Sequence, residues 1–201
     1  MSAPRHLDDT AILARARNGD VDAFNRLVLE NERPVYSLAY RLMGNADDAA
    51  DATQDAFLNA FRAIHGFRGE TIRPWLFRIT VRCCYDQLRR RKRRREDSLD
   101  ADADAEGIDL PDDPELGPEQ GAVRAETAAV IEQALQALPF EQRTVVTLCD
   151  VQGLSYEEAA EVTNAELGTV KSRLSRARSR LRDLLRARGE LPGATDRLAE
   201  T

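Results

Sequence analysis

Lys171, Arg173, Arg176, Arg178, Arg180, Arg182, Arg186 and Arg188 fall in a stretch, 168–188, that holds one acid, Asp183. Val170, Leu174, Ala177, Leu181, Leu184 and Leu185 alternate with them, mostly at steps of three and four. That is an α-helix with one apolar stripe and cationic remaining faces. Guanidinium and ammonium groups neutralise phosphates and donate to base edges, and a helix of this kind fits the major groove of DNA. A second set is acidic. Asp48, Asp51 and Asp55, with Gln54 beside them, are spaced to line one ridge of another helix. Carboxylates stacked this way repel one another, so a basic partner is favoured. A third set mixes cations with rings: Arg68, Arg73, Arg78, Arg82 and the run 89–95, interleaved with Phe67, Trp75, Phe77 and Tyr85. Rings beside a basic surface can hold unstacked bases; Trp75 and Phe77 equally suit a core.

Chemistry of other kinds finds no support. His6 and His65 lie far apart, with no ligand-like spacing to a cysteine, and no nucleophile–base motif stands out. No metal, cofactor or enzymatic activity is expected. Cys83 and Cys84 are adjacent and Cys149 is alone, which does not make a disulfide framework. They read as small buried side chains, the rival reading being a thiol sensor activated by the arginines nearby.

A chain of 201 residues allows one domain or two small ones. The chain is 42% hydrophobic, 32% charged and 5% aromatic, which points to a helical protein. No apolar run approaches the ~18 residues of a membrane span, and the N-terminus lacks a signal-peptide core; a cytoplasmic protein without stable membrane insertion is expected. The net charge of −6 is unevenly spread. Residues 62–95 carry twelve bases and two acids, whereas 96–120 carry eleven acids and no base. The acidic tract has few apolar residues to offset the entropy of ordering, so it reads as a disordered linker. It serves either as a solvated spacer or as a mask for the basic faces. Expected boundaries are 1–95, a linker 96–122, a second domain 123–190 and a tail 191–201.

Within the first domain, a helix starting near Asp8 stops at Gly19, and Asp20 or Asp22 caps the next one. Pro34 is expected to break or restart that helix; Val35, Leu38, Leu42 and Met43 continue the periodicity to Gly44-Asn45. Asp47 or Asp48 opens the acidic helix, with Ala50, Phe57, Leu58, Phe61 and Ile64 expected to face the core. A loop with Gly66 and Gly69 follows, and Pro74 is expected in the first turn of the aromatic and basic helix. The second domain reads as four helices. The first ends before Pro139, and the second runs from Glu141 to Val151. Ser155-Tyr156-Glu157-Glu158 is a capping box for a short third helix, and a polar turn at 163–166 leads to the cationic fourth. Short helix, tight turn and long basic helix form a helix-turn-helix signature.

DDAADATQDAFLNAFRAI, FRGETIRPWLFRIT and LSYEEAAEVTNAELGTVKSRLSRAR stand in this order along the chain. In these segments the chain resembles the extracytoplasmic-function sigma factors of bacterial RNA polymerase, over about 20–95 and 123–187. The resemblance implies an all-α fold: two small helical domains on a flexible acidic linker, the C-terminal one a four-helix helix-turn-helix domain. It implies that Asp48, Asp51, Gln54, Asp55 and Phe57 dock on the polymerase core, at the β′ coiled coil, with β as a further contact. It implies that Phe67, Arg68, Arg73, Trp75, Arg78, Arg82 and Arg89 open and read the −10 promoter element. Ser155, Thr169, Lys171, Ser172, Arg173, Ser175, Arg176 and Arg178 then belong to the −35 reader. Ser175 is smaller than the residue family members often carry there. An anti-sigma factor covering both domains is a further implied partner. Two other classes compete. A stand-alone helix-turn-helix regulator leaves the ridge at 48, 51 and 55 unexplained. A nucleic-acid enzyme needs a carboxylate cluster or metal ligands inside a basic cleft, and the acids here lie on a ridge and in a linker.

Overall fold

The structure, a computed structural model of the chain, describes residues 5–69, 71–97 and 118–187. Among these residues the regular elements are all helical. The first module comprises α1 (Arg5–Arg17), α2 (Val21–Met43), α3 (Ala46–Ala63) and α4 (Ile72–Asp97). The second comprises α5 (Pro118–Gln136), α6 (Phe140–Val146), α7 (Tyr156–Thr163) and α8 (Leu167–Ala187). A 3₁₀ turn, Ile64–Gly66, follows α3, and a π turn, Thr147–Val151, follows α6. Helix therefore enters the expected linker from both sides, and 98–117 and the tail lie outside the described residues.

Asp20 caps α2, its carboxylate accepting from the Ala23 amide at 3.0 Å. That helix runs unbroken through Pro34, where a break was expected. Proline removes one donor and crowds the carbonyl four residues back. Here the carbonyl belongs to exposed Glu30, while Phe24, Leu27, Val35, Leu38 and Leu42 are buried on both sides of the proline, so packing carries the helix past it. The cap of α3 is Asn45, not Asp47 or Asp48: its side-chain oxygen accepts from the Asp48 amide at 2.8 Å. Pro74 does lie in the first turn of α4, with Ile72 and Arg73 ahead of it.

The face that α3 buries is also different from the expected one. Ala49, Ala52, Ala56 and Ala60 are at most 1% exposed, with Thr53 and Ile64 beside them. Small side chains let α3 lie close against both α2 and α4. Ala50 is exposed, Phe57 half-buried, and Leu58 and Phe61 keep 46% and 42% of their surface open. Burying the larger apolar residues would gain more transfer free energy; close helix approach favours the alanines.

The second module is built on Ala134, Leu135, Leu138, Val145, Val146, Leu148, Val170, Leu174 and Ala177, all buried. It does not stand apart from the first. The last carbonyls of α2 have no intrahelical partner, and side chains of the second module supply donors. Gln136 Nε2 donates to the Arg41 carbonyl at 2.9 Å and Arg143 Nη1 to the Leu42 carbonyl at 2.8 Å. Arg143 also holds the carbonyls of Gln136 and Leu138 and the side chain of Gln136. Gly44, at φ +82°, closes α2 where an added Cβ would lie 2.6 Å from the Gln136 side chain. Arg41 Nε meets Glu132 Oε1 at 3.1 Å, with Glu132 only 5% exposed at its side chain and its Oε2 accepting no hydrogen bond. Gln152 bridges Arg73 (3.0 Å) and Ser37 (3.3 Å), and the rings of Tyr85 and Phe140 lie 5.7 Å apart.

Burial pushes the Glu132 carboxyl above the ordinary glutamate range, against the opposite pull of Arg41 and Arg143. The folded chain thus holds this proton more tightly than the unfolded chain. The stability tied to it is full below the ordinary glutamate value and is lost as pH rises through the raised folded value. At pH 7, Arg41→Ala strands a buried carboxylate and is expected to cost about 3 kcal/mol, whereas Glu132→Gln is expected to be nearly neutral. Urea unfolding midpoints at pH 5 and pH 7 check both, with the Arg41→Ala deficit shrinking at the lower pH.

Candidate nucleic-acid interface

The helix-turn-helix is fixed locally by its caps. Ser155 Oγ accepts from the Glu158 amide at 3.1 Å, and Glu158 Oε2 accepts from the Ser155 amide at 2.8 Å, completing the capping box. Asn164 ends α7 in the left-handed region (φ 50°), which lets the chain turn at once into α8. Val170, Leu174 and Ala177 bury the stripe of α8; Leu181, Leu184 and Leu185 are half-buried, so the C-terminal half is held less fully.

On α8, Lys171, Ser175 and Arg176 are exposed, while Thr169, Ser172 and Arg173 are half-buried. The Ser172 hydroxyl is turned back onto the Thr169 carbonyl at 3.0 Å. Ser155 sits at the start of α7, exposed. Arg178 differs from its neighbours. Its Nε and Nη2 both donate to the Asp150 carboxylate, at 3.1 and 2.7 Å. Asp150, in the π turn, carried no signal as a functional residue in the sequence.

The third residue set gathers around the loop before α4. Phe67 is buried and packs on Trp75, centroids 5.0 Å apart. Arg68 is exposed, but one guanidinium nitrogen donates to the carbonyls of His65 and Phe67. Phe77 is fully buried, a core residue, and Arg73 lies over its ring at 5.2 Å. Arg78, Arg82 and Arg89 are exposed along α4. Phe67, Arg68, Thr71, Trp75 and Arg78 line a hollow closed on its far side by Glu158, Glu161 and Val162 of α7. A second hollow brings Arg78 and Arg82 of α4 together with Arg173 of α8, so the two basic surfaces, placed on separate modules by the sequence, are neighbours.

Asp51, Gln54 and Asp55 are exposed on α3. Asp48 is half-buried and pairs with Arg91 at 2.6 Å, which neutralises one end of the ridge. Beside the acids runs an apolar groove lined by Val21, Phe24, Val28, Tyr36, Phe57, Leu58 and Phe61, with Gln54 on its edge. Sequence reasoning missed this groove. The signal was present as a second stripe: alanines at 49, 52, 56 and 60 leave the larger apolar residues a face of their own.

Cys83, Cys84 and Cys149 are free thiols, the first two buried. Burial pushes Cys84 up to about 12 and Cys149 to about 11, and raises Cys83 as well. Among the described residues no cluster of three or more His, Cys, Asp or Glu could hold a metal ion, and no helix is long and apolar enough to cross a membrane.

An all-α chain with a capped helix-turn-helix and a second basic, aromatic surface defines a DNA-binding protein of transcription. Residues 27–94 match the family model of Sigma-70 region 2, and 128–181 match that of Sigma-70, region 4. The chain is 41% identical over 163 residues to the ECF RNA polymerase sigma factor SigE of Mycolicibacterium smegmatis, covering 81% of this chain and 62% of that protein's length. It is 38% identical over 174 residues to RNA polymerase sigma-H factor of Pseudomonas aeruginosa (85% of this chain, 90% of that one). The ECF sigma-E factor of Escherichia coli K12 is 35% identical over 177 residues, covering 86% and 91% of the two chains. Among solved structures, the sigma factor RpoE of Bartonella quintana, in complex with the anti-sigma factor NepR, superposes with a TM-score of 0.68 at 30% identity over 81% of this chain and 96% of that one. CnrH in complex with the cytosolic domain of CnrY gives 0.66 at 28% identity, over 89% and 97%. The chain belongs to the extracytoplasmic-function family of RNA polymerase sigma factors, proteins that direct the polymerase to promoters.

Two outcomes follow from the geometry. Ser155→Ala removes the cap of α7 and is expected to cost about 1 kcal/mol, read as a lower unfolding midpoint. All three thiols of the native chain are expected to react with iodoacetamide at pH 8 far more slowly than in urea, because the thiolate is the reactive form; mass spectrometry of the alkylated peptides measures this.

Proposed function

We propose that this chain acts as the dissociable promoter-specificity subunit of RNA polymerase, binding core enzyme through α3 and promoter DNA through both modules. The observation that carries the reading is the pairing on one chain of two opposite surfaces: the acid-and-apolar face of α3, and the cationic face of α8 on its helix-turn-helix. A stand-alone DNA-binding regulator has use for the second and none for the first.

In this reading the first module spans 1–95 and the second 123–190. Asp48, Asp51, Gln54, Asp55 and Phe57 contact the β′ coiled coil, with the groove of Leu58 and Phe61 receiving apolar side chains. Acids attract a basic partner over a Debye length of about 8–10 Å, and the groove supplies the short-range affinity. Lys171, Ser172, Arg173, Ser175 and Arg176 face the −35 element, the exposed trio Lys171, Ser175 and Arg176 being best placed to reach base edges. Ser155 and Thr169 flank them near the ends of α7 and α8. At the −10 element, Arg68, Arg73, Arg78, Arg82 and Arg89 hold phosphates of the opened strand, and the hollow beside Trp75 and Phe67 receives an unstacked base. Engaging both elements requires α7 to leave the rim of that hollow. The seam of Arg41, Glu132 and Arg143 is where the modules part, and the acidic tether keeps them joined. The role is that of a non-catalytic subunit in the cytoplasm. The sigma factor RpoE of Bartonella quintana was solved in complex with an anti-sigma factor, which supports control of this chain by a protein of that kind.

Run-off transcription with purified core polymerase tests the reading. Promoter-specific transcripts are expected with the wild-type chain and none with Asp51→Ala/Asp55→Ala, which should also fail to co-elute with core enzyme. Arg176→Ala is expected to abolish discrimination between duplexes differing in the −35 element. Unchanged transcription by the Asp51/Asp55 variant removes the docking assignment.

A further inference from the structure

The apolar stripe of α8 holds the helix against its module and sets its inward face, but only coarsely fixes its rotation. Burial of Val170, Leu174 and Ala177 is non-directional, and a roll of the helix would re-aim Lys171, Ser175 and Arg176 together. A directional contact is needed, and α8 has one next to Ala177. Arg178 meets Asp150 with two guanidinium nitrogens, at 3.1 and 2.7 Å. Both side chains are partly shielded, with 26% and 23% of their surface open. Bidentate charge-assisted pairs carry geometric specificity as well as energy.

The far end of the clamp is equally specific. Asp150 sits in the π turn Thr147–Val151, closed by the Gln152 amide on the Thr147 carbonyl at 2.9 Å. Single π turns are uncommon and occur often at functional sites. Burial of Thr147 and Leu148 anchors this turn in the module core. Tyr156, at the start of α7, shares the hollow along α8 with Arg178. The clamp therefore joins α8 to the element that leads into the helix-turn-helix.

Resting on the −35 assignment above, the geometry points to Arg178 as a positioning residue that sets the rotation of α8 through Asp150, and not as a DNA contact. Asp150 has a second consequence. A bare carboxylate beside α8 would face the phosphate backbone, and Arg178 neutralises it. Swinging Arg178 to a phosphate would expose that charge to the DNA.

The test uses the chain bound to core polymerase and a duplex selected by that wild-type complex from a pool randomised in the −35 region, with a scrambled duplex as control. Affinities are measured across a salt series for Arg178→Gln, Asp150→Asn, the double variant and the swap Asp150→Arg/Arg178→Asp. Each single variant is expected to lose roughly tenfold for the selected duplex, within the range of coupled neighbours. The scrambled duplex and the salt slope should be unchanged, the double variant should lose no more than either single one, and the swap should recover part of the loss. Arg178→Lys, which keeps the charge without the fork, covers the case in which a neutral variant fails to fold; it should lose selectivity with the slope intact. The proposal is overturned if Arg178→Gln lowers the slope by about 0.9, as one lost phosphate contact does, while Asp150→Asn binds as tightly as wild type or more so. If instead Lys171→Gln and Arg176→Gln keep full preference for the selected duplex, the −35 assignment fails, and the Asp150–Arg178 coupling still judges the clamp by itself.

Discussion

Close contact between α3 and its neighbours rests on four alanines, and much of the first module follows from it. Ala49, Ala52, Ala56 and Ala60 give α3 a buried face made mostly of methyl groups where it meets α2 and α4. Interiors are packed to near-crystalline density, so a larger residue at any of these positions would force the helices apart. The same choice leaves Phe57 half-buried and Leu58 and Phe61 open to solvent, beside Asp51, Gln54 and Asp55. One packing decision thus produces both the tight core and the mixed apolar and acidic face.

The second module repeats the logic with a different surface. Val170, Leu174 and Ala177 are the fully buried residues of α8, leaving the cations on its remaining faces. An acidic chain can bind DNA in this way because its positive charge is concentrated on α4 and α8. Screening makes charge effective over about 8–10 Å, so local clustering matters more than the net balance.

Between the modules, a seam of polar groups adds direction to a hydrophobic core that runs continuously from one to the other. The free carbonyls of α2 accept from Gln136 and Arg143, and Arg41 meets Glu132 with little solvent around them. Such contacts are specific in direction, and a buried ion pair contributes little net stability.

The helical class, the two charge-segregated modules, the capping box at Ser155 and the stripe of α8 are all legible in the sequence. These depend on local periodicity and on hydrogen bonds between residues three or four apart, which spacing alone reveals. It also placed Asp51, Gln54 and Asp55 on an open ridge and Lys171, Ser175 and Arg176 on an open helix face. Which of two apolar stripes α3 buries is settled only in the folded chain, because the choice depends on how closely α2 and α4 approach. Only there does α2 continue past Pro34, since burial on both sides of the proline outweighs one lost hydrogen bond. The partners of Arg178, Arg41 and Arg143 were likewise out of reach of the sequence. Asp150 lies 28 residues from Arg178, and Leu42 lies 101 from Arg143. No periodicity links such pairs; the folding of separate helices onto one another does.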